Sequence, residues 1–368
     1  MRGMSRGALS LAVLLGSVNA ACAPAPSATA GAAALAPKPA PAPPAAPAGA
    51  PVQVWQARAG RRFTGRMAVS GETIYGAGLD RKVYAVDLRS GRIRWSSRLG
   101  GLVGGGVLVA GDTVYAASSR PEGRVYALDA RTGHRFWRTS TGPVSAPLAL
   151  VHGVLVAETQ QGEVVGLDPA EGTIRWRQRL GVARIAAAAA DSGTFIVATV
   201  DTLFRVSAAD GKISRRAISP GTILSPWIRR QGMLVAGTTD SLVVAIGLDD
   251  LRARWRVTLD APVLDSPAAQ GDTLFAVSRR GTLYRITADG QPAAAKLAEL
   301  EWPVTAPVSI HDGLILLGGA DGVLRALRLD GAEAWRVQLR WPIELAPLPL
   351  ADGLLAVGGN GDLHRYRR

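Results

Sequence analysis

The stretch GRVYALDARTGHRFWRTS, residues 123–140, contains the pattern that decides the fold. An alternating apolar run is followed by a turn rich in Asp and Gly, and then by a Trp. Similar stretches occur at 81–98 (RKVYAVDLRSGRIRWSSR) and at 162–179 (GEVVGLDPAEGTIRWRQR). Alternating apolar residues bounded by Gly and Asp turns are typical of short, half-buried strands. The sequence therefore predicts a chain built from a repeated β unit.

The repeat has a period of about 40 residues and occurs eight times. Every copy has a Gly that opens an apolar run: Gly71, Gly111, Gly153, Gly193, Gly232, Gly271, Gly313 and Gly353. A second position is Trp in six copies: Trp55, Trp95, Trp137, Trp176, Arg215, Trp255, Ala295 and Trp335. The residue eleven places earlier reads Tyr84, Tyr126, Val165, Phe204, Val244, Tyr284 and Leu324, with His364 next in register. Four short strands per unit at this period predict one blade of a β-propeller.

The two ends of the repeat region complete each other. VQVWQARA at 52–59 has the pattern of a fourth strand without the first three, and the stretch from 343 to the end has the first three without a fourth. We therefore predict an all-β fold over 52–368, a single eight-bladed propeller of four-stranded blades. The N-terminal strand would join the C-terminal blade and close the ring, leaving no open half-blade.

The repeated Trp is predicted to fill the gap between neighbouring blades, because a large ring buries extensive area there. This structural role is assigned to Trp55, Trp95, Trp137, Trp176, Trp255 and Trp335. Weaker packing is expected in the two copies that have Arg215 and Ala295 at this position.

Residues 1–22 have the pattern of a signal peptide. Arg2 and Arg6 precede an apolar run at 7–18 that is too short to span a bilayer. The run ends in VNAAC, and Cys22 is the only cysteine of the chain. This stretch resembles the lipobox of bacterial lipoproteins, although Asn19 stands where that pattern has an aliphatic residue. The resemblance implies lipidation of Cys22. Ordinary cleavage after Ala20 is the alternative, and both predict export.

Residues 23–51 consist mainly of Ala and Pro, and nine of these 29 residues are Pro. Such a composition cannot bury a core and favours an extended, disordered chain. At about 3 Å per residue, the segment would reach roughly 80–90 Å. It is interpreted as a linker from a membrane anchor to the propeller, or as a disordered leader without a length requirement.

The formal net charge is +13. Such a charge is suited to acidic partners, among them anionic lipid headgroups and acidic protein surfaces. Alternatively, the arginines beside the repeated Trp are simply solvated strand residues. Nucleic acid is not expected as a partner of an exported protein.

The stretches VYALDARTGHRFW and VYAVDLRSGRIRW resemble the Trp-docking repeat of pyrroloquinoline-quinone (PQQ) propellers. With its lipoprotein signal, its linker and its ring starting on a lone Trp strand, the chain resembles the outer-membrane assembly lipoproteins of the BamB family. The resemblance implies a non-catalytic scaffold on the periplasmic face of the outer membrane, tethered through Cys22. It also implies a protein partner in the barrel-assembly machinery, bound through loops of one propeller face.

In that family much of the partner contact is made by the loop after the fourth Trp, assisted by an acidic turn in the next blade. The corresponding loop here is LGVARIAAAAA at 180–190, in which Val182, Arg184 and Ile185 place an Arg among aliphatic residues. The acidic turn corresponds to Asp201. The resemblance therefore implies that these four residues bind the partner.

PQQ-dependent dehydrogenases resemble this repeat as well. They place the cofactor and a calcium ion over the central channel, and many have a vicinal Cys pair. This sequence has no second Cys, no carboxylate cluster at metal-ligand spacing, and four scattered His residues. The Gly-rich stretch at 100–106 lacks the Lys-Ser/Thr of a phosphate-binding loop. We therefore predict no enzyme activity, no cofactor and no catalytic or metal-binding residues.

The alternative function is binding of a small molecule or a cell-wall glycan in the central funnel. Trp227, Trp302 and Trp341 lie outside the docking register, each near the start of a first strand. They are predicted to line one face of the ring or to pack in the core. A further possibility is that the outermost strand of a blade accepts an extended chain segment.

Overall fold

The computed structural model describes residues 49–181, the short strand at 188–189, and residues 193–288 and 292–368. Across these ranges all regular secondary structure is β, arranged as eight four-stranded sheets. The predicted eight-bladed β-propeller is confirmed.

Each of the first seven blades consists of four consecutive strands, numbered in chain order. Blades 1 to 4 are formed by β2 (Phe63–Ser70), β3 (Thr73–Gly78), β4 (Lys82–Asp87), β5 (Ile93–Arg98); β6 (Val107–Ala110), β7 (Thr113–Ala117), β8 (Arg124–Asp129), β9 (Arg135–Ser140); β10 (Ala149–Val151), β11 (Val154–Glu158), β12 (Glu163–Leu167), β13 (Ile174–Arg179); and β14 (Ala188–Ala189), β15 (Thr194–Ala198), β16 (Thr202–Ser207), β17 (Ile213–Ile218). Blades 5 to 7 are formed by β18 (Ile228–Arg230), β19 (Met233–Gly237), β20 (Leu242–Gly247), β21 (Ala253–Thr258); β22 (Ala268–Gln270), β23 (Thr273–Val277), β24 (Thr282–Thr287), β25 (Ala293–Glu299); and β26 (Ser309–His311), β27 (Leu314–Gly318), β28 (Val323–Leu327), β29 (Glu333–Gln338).

Blade 8 closes the ring with strands from both ends of the described chain. It contains β30 (Leu348–Leu350), β31 (Gly353–Val357) and β32 (Asp362–Arg367), and its outer strand is β1 (Val52–Arg58). The antiparallel pairing runs from Val52 opposite Arg367 to Arg58 opposite Asp362. The closure predicted from the sequence is therefore present.

The core lies between the blades, where the second and third strands are almost fully buried. At the outer strand, a docking Trp reaches across to the next blade. In blade 1, the Trp95 indole N–H donates a hydrogen bond to the Ala130 carbonyl oxygen at 2.9 Å. Equivalent bonds join Trp55 to Leu88, Trp137 to Pro169 and Trp176 to Ala208.

At four blade interfaces the docking Trp meets a Gly in the facing turn of the next blade. Gly133 has a φ of +72°, and a Cβ atom on it would lie 2.5 Å from the Trp95 ring. Both the backbone conformation and the close approach favour a residue without a side chain. Gly91, Gly172 and Gly211 meet Trp55, Trp137 and Trp176 in the same way.

Other side chains occupy the places beside Arg215 and Ala295, where the sequence predicts weaker packing. In the turn that faces Arg215, the Gly is replaced by Leu251, which is 1% exposed and lies in the core between blades 4 and 5. In blade 6, Leu297 lies against Gly331, two residues beyond the usual Trp position.

The sequence register was one residue wrong in blade 7. Trp335 pairs with Ala326, nine residues earlier, whereas Trp95 pairs with Ala85, ten residues earlier. The hairpin between β28 and β29 is thus one residue shorter, and Arg325 rather than Leu324 occupies the position of Tyr84.

Candidate functional site

Two sets of loops form one face of the ring, which we call the loop face. The first set joins the outer strand of one blade to the first strand of the next, and the second joins the second and third strands within a blade. They are connected by backbone hydrogen bonds such as Thr239 N to Thr222 O at 2.9 Å and Val263 N to Thr238 O at 3.0 Å. The predicted partner-binding and funnel residues all fall in or beside these loops along the chain.

Blade 4 exposes two aliphatic side chains on this face, beside an acidic residue. Ile218 is 86% exposed and Val200 is 48% exposed. Asp201 lies between them, since the Ser219 backbone N–H donates to its carbonyl oxygen at 2.8 Å. The Asp201 carboxylate accepts a hydrogen bond from the Thr202 hydroxyl at 3.0 Å. We call Val200, Asp201 and Ile218 the blade-4 corner.

Of the four residues predicted to bind the partner, the structure places Asp201 at this corner. Val182, Arg184 and Ile185 lie outside the described residues. The sequence analysis missed Val200 and Ile218, although an isolated Val before Asp201 and an Ile at the end of an Arg-rich strand were visible signals. Their exposure depends on the turn and strand end that meet at the corner.

A buried carboxyl group lies at the neighbouring blade interface. Glu158 ends β11 and is 4% exposed, and neither of its carboxyl oxygens has a hydrogen-bond partner among the described residues. Burial raises the pKa of this carboxyl to about 8. Val154 and Val156, on the same side of β11, pack in the core between blades 3 and 4, so Glu158 faces blade 4.

The other seven blades have small or aliphatic residues at the position of Glu158. Each of these residues pairs with a Val or Leu on the third strand, as Glu158 pairs with Val164. They are Ala77, Ala117, Ala198, Gly237, Val277, Gly318 and Val357. The sequence analysis missed this exception, although a Glu ending the apolar run VLVAE was a visible signal.

A cleft of about 640 Å³ opens on the loop face between blades 6 and 7. Its lining includes the acidic residues Asp265 and Glu301, the basic residues Arg279 and Arg280, and Trp302. Burial raises the pKa of the Asp265 carboxyl. The cleft therefore combines both signs of charge with an aromatic surface.

The indole of Trp302 is held in place by a neighbouring cation. The Arg325 guanidinium lies 4.1 Å from the ring centroid, and its Nη2 lies 2.6 Å from Asp321 Oδ2. A guanidinium that stacks on an aromatic face and pairs with a carboxylate fixes both groups. Arg325 thus supports one wall of the cleft.

The three tryptophans outside the docking register lie in three different blades. Trp227 packs against the core of blades 4 and 5, and Trp341 is 38% exposed beside Arg340. The cleft lining includes Trp302 but neither of the others. The structure therefore does not gather them around this cleft.

Within the described ranges, His, Cys, Asp and Glu residues form no group of three or more that could hold a metal ion. The described part of the chain also contains no helix long and apolar enough to cross a membrane.

The ring geometry and the Trp docking define the chain as an eight-bladed propeller of the PQQ-repeat class. A family model described as outer membrane protein assembly factor BamB matches residues 48–122, 121–217 and 215–340. The chain belongs to this family, and the resemblance inferred from the repeat is confirmed.

Individual relatives agree with this assignment. The outer membrane protein assembly factor BamB of Bordetella pertussis is 24% identical over 336 residues, which cover 83% of this chain and 85% of that protein. The crystal structure of BamB from Moraxella catarrhalis superposes with a TM-score of 0.74 at 18% identity, covering 87% of this chain and 100% of that one.

The fold is also shared with enzymes. The quinohemoprotein alcohol dehydrogenase ADHIIG from Pseudomonas putida HK5 superposes with a TM-score of 0.65 at 13% identity, covering 86% of this chain and 76% of that one. At such identities the two structural similarities establish the fold alone.

Proposed function

We propose that the protein is a non-catalytic scaffold that assists the assembly of outer-membrane β-barrel proteins. Its family membership supports the process, and the blade-4 corner supports the mode of action. The observation that carries the proposal is the exposure of Ile218 and Val200 around Asp201. Exposed aliphatic groups beside a charged residue are suited to a protein interface, where apolar area is buried and the charge selects the partner.

The contact would extend from the corner to the loop before blade 4. Val182, Arg184 and Ile185 would add aliphatic contacts and a cation on the N-terminal side of that blade. A partner that spans both parts would meet a mixed surface in which Arg184 and Asp201 bring opposite charges. This arrangement favours a partner loop that itself carries both an acidic and a basic group.

We further propose that Cys22 is lipidated and that residues 23–51 form the linker to the ring. The protein would then lie at the periplasmic face of the outer membrane. Without acylation it would be a soluble periplasmic protein. Mass spectrometry of the mature N-terminus distinguishes the two forms.

The proposed contact is tested by crosslinking in the native envelope and identifying the proteins that copurify. We expect the barrel-assembly machinery to copurify with the unmodified protein. Ile218→Glu, Val200→Glu and the pair Arg184→Glu/Ile185→Glu are each expected to abolish this recovery. Leu329→Glu is the matched control, because Leu329 is 36% exposed in the hairpin turn opposite the loop face.

Equal recovery with the corner variants and with the control would refute the proposed contact surface. Recovery of folded protein without any barrel-assembly component would refute the assembly role itself.

The cleft beside Trp302 supports a second candidate, binding of a small molecule or a cell-wall glycan. Its aromatic wall and mixed charges are typical of a site for a polar ligand with an apolar face. Soluble peptidoglycan fragments are the probe, and the readout is a ligand-dependent rise in the melting temperature. Trp302→Ala is expected to abolish the rise and Trp341→Ala to preserve it. The absence of any rise in the unmodified protein would refute this candidate.

A further inference from the structure

The outer strands of the ring carry a strongly one-sided charge. In blades 1 to 5 these strands are β5, β9, β13, β17 and β21, and together they contain eleven Arg and no Asp or Glu. The outer strands of blades 6 to 8 contain Lys296, Arg336 and Arg58 together with Glu299 and Glu333. The first group of strands has a net charge of +11 and the second a net charge of +1.

Most of the arginines on the outer strands of blades 1 to 5 have no carboxylate partner among the described residues. Arg94, Arg175 and Arg254 pair with the Asp in the turn of their own hairpin, and Arg177 pairs with Glu163. Ion pairs with described residues are absent for Arg98, Arg135, Arg138, Arg179, Arg215, Arg216 and Arg256, all of which are exposed. In blades 6 and 7, by contrast, Lys296 pairs with Glu299 and Arg336 with Glu333.

Protection of sheet edges does not account for this asymmetry. A charged side chain on an edge strand prevents pairing with another chain whatever its sign. Blades 6 and 7 show that paired charges of both signs are compatible with the fold. An excess of one sign over five adjacent blades adds self-repulsion, so the charge is better explained by an anionic partner.

The neighbouring outer strands β9 and β13 contain as many Arg as any two neighbouring outer strands of the ring, and we call this region the β9–β13 rim. It contains five Arg, of which Arg135, Arg138 and Arg179 have no carboxylate partner in the described part of the chain. Two apolar side chains lie among them: Phe136 is 53% exposed and Ile174 is 37% exposed. Exposed apolar groups surrounded by arginines are typical of a surface that meets lipid headgroups.

We propose that the β9–β13 rim binds the anionic surface of a phospholipid membrane. Guanidinium groups bind phosphate oxygens in bidentate geometry, and Phe136 and Ile174 would enter the headgroup region between them. The convex edge of a ring can present two adjacent blades to a flat surface. An acidic protein is disfavoured, because β9 and β13 contain no acidic residue that would fix the orientation of a folded partner.

The proposal is tested with the purified full chain in a Cys22→Ser background, so that no acyl chain contributes. Binding is measured to vesicles of phosphatidylcholine alone and to vesicles that also contain phosphatidylglycerol. We expect binding to the anionic vesicles that weakens as salt is added, since salt screens exposed charges. Each arginine near the surface contributes about a fivefold gain in affinity, so Arg135→Gln/Arg138→Gln/Arg179→Gln is expected to weaken binding about a hundredfold.

The matched control removes the same charge from the opposite arc: Arg58→Gln/Lys296→Gln/Arg336→Gln. It is expected to bind like the reference protein. Phe136→Ala is expected to weaken binding without changing its salt dependence, because it removes only an apolar contact.

Two results would overturn the proposal. One is a lack of preference for the anionic vesicles, seen as equal binding to the two kinds of vesicle or as no binding at low salt. The other is an equal loss of binding in the rim variant and the opposite-arc control, which would show a dependence on net charge alone. Circular dichroism of each variant establishes that the ring is folded, so a loss of binding is not a loss of structure.

Discussion

Replacing Glu158 is predicted to stabilise the ring and to flatten the dependence of its stability on pH. Burial without a partner raises the folded-state pKa of this carboxyl from 4.5 to about 8. The folded protein therefore holds a proton that the unfolded chain releases, and folding stability falls as pH rises from about 4.5 to about 8. At about 1.4 kcal/mol per pKa unit, the cost is about 3 kcal/mol at pH 7.

Glu158→Val introduces the residue that blades 6 and 8 have at this position, and Glu158→Gln keeps the shape without the titration. We expect the free energy of unfolding of the reference protein to fall by about 3 kcal/mol more than that of either variant between pH 5 and pH 8. Urea unfolding at several pH values measures this difference. Glu171→Gln, an exposed carboxyl in the same blade, is the control and should retain the slope of the reference protein.

Equal slopes for the reference protein and Glu158→Val would refute this reasoning. The carboxyl would then be ionised in the folded protein and would have a cationic partner. Glu158→Val would then be destabilising, because it would leave a buried cation without its partner.

Two further predictions concern the docking of Trp between blades. Gly133→Ala should destabilise the ring by at least about 3 kcal/mol, because it forces a Cβ against the Trp95 ring at a positive φ. The control is Gly111→Ala, because Gly111 also has a positive φ but no atom lies within 4 Å of the added Cβ; this variant should lose only about 1 kcal/mol of stability. Urea unfolding measures both losses, and equal losses in the two variants would contradict the close-packing argument. Trp176→Phe should be more destabilising than Trp255→Phe by about 1–3 kcal/mol, since the first removes a hydrogen bond to Ala208. The buried Trp255 N–H, by contrast, has no hydrogen-bond partner among the described residues. Thermal unfolding of both variants measures the difference, and an equal loss would show that the hydrogen bond contributes little.

The fold was predictable because each repeat can be recognised within its own stretch of sequence, without knowing which residues lie next to it in space. The Gly markers, the Trp position and the complementary ends predicted eight blades and their closure. What could not be predicted depends on the facing blade or on the pairing of strands within a blade. Leu251 replaces a Gly because Arg215 leaves space in the preceding blade, and this exchange is visible only when the two segments are brought together. The shorter hairpin before Trp335 lies within blade 7, and there the register was displaced because strand pairing rather than sequence spacing fixes it.

The candidate site was less predictable than the fold. Asp201 was proposed through resemblance, whereas the exposure of Val200 and Ile218 required the turn and the strand end to be placed side by side. Glu158 interrupts an apolar run, which a sequence can show. That its carboxyl lacks a partner is a property of the blade interface.

The pairing of β1 with β32 sets the order in which the protein can be completed. Val52 lies opposite Arg367, so the outer strand of blade 8 has no sheet to join until the end of the chain is available. During synthesis and export, β1 therefore stays unpaired while the other seven blades form. Contacts of such long sequence separation form late and slowly. A chain that stops before β32 would leave β1 as an unpaired strand with apolar side chains. Chaperones and proteases would then recognise the incomplete chain by this strand.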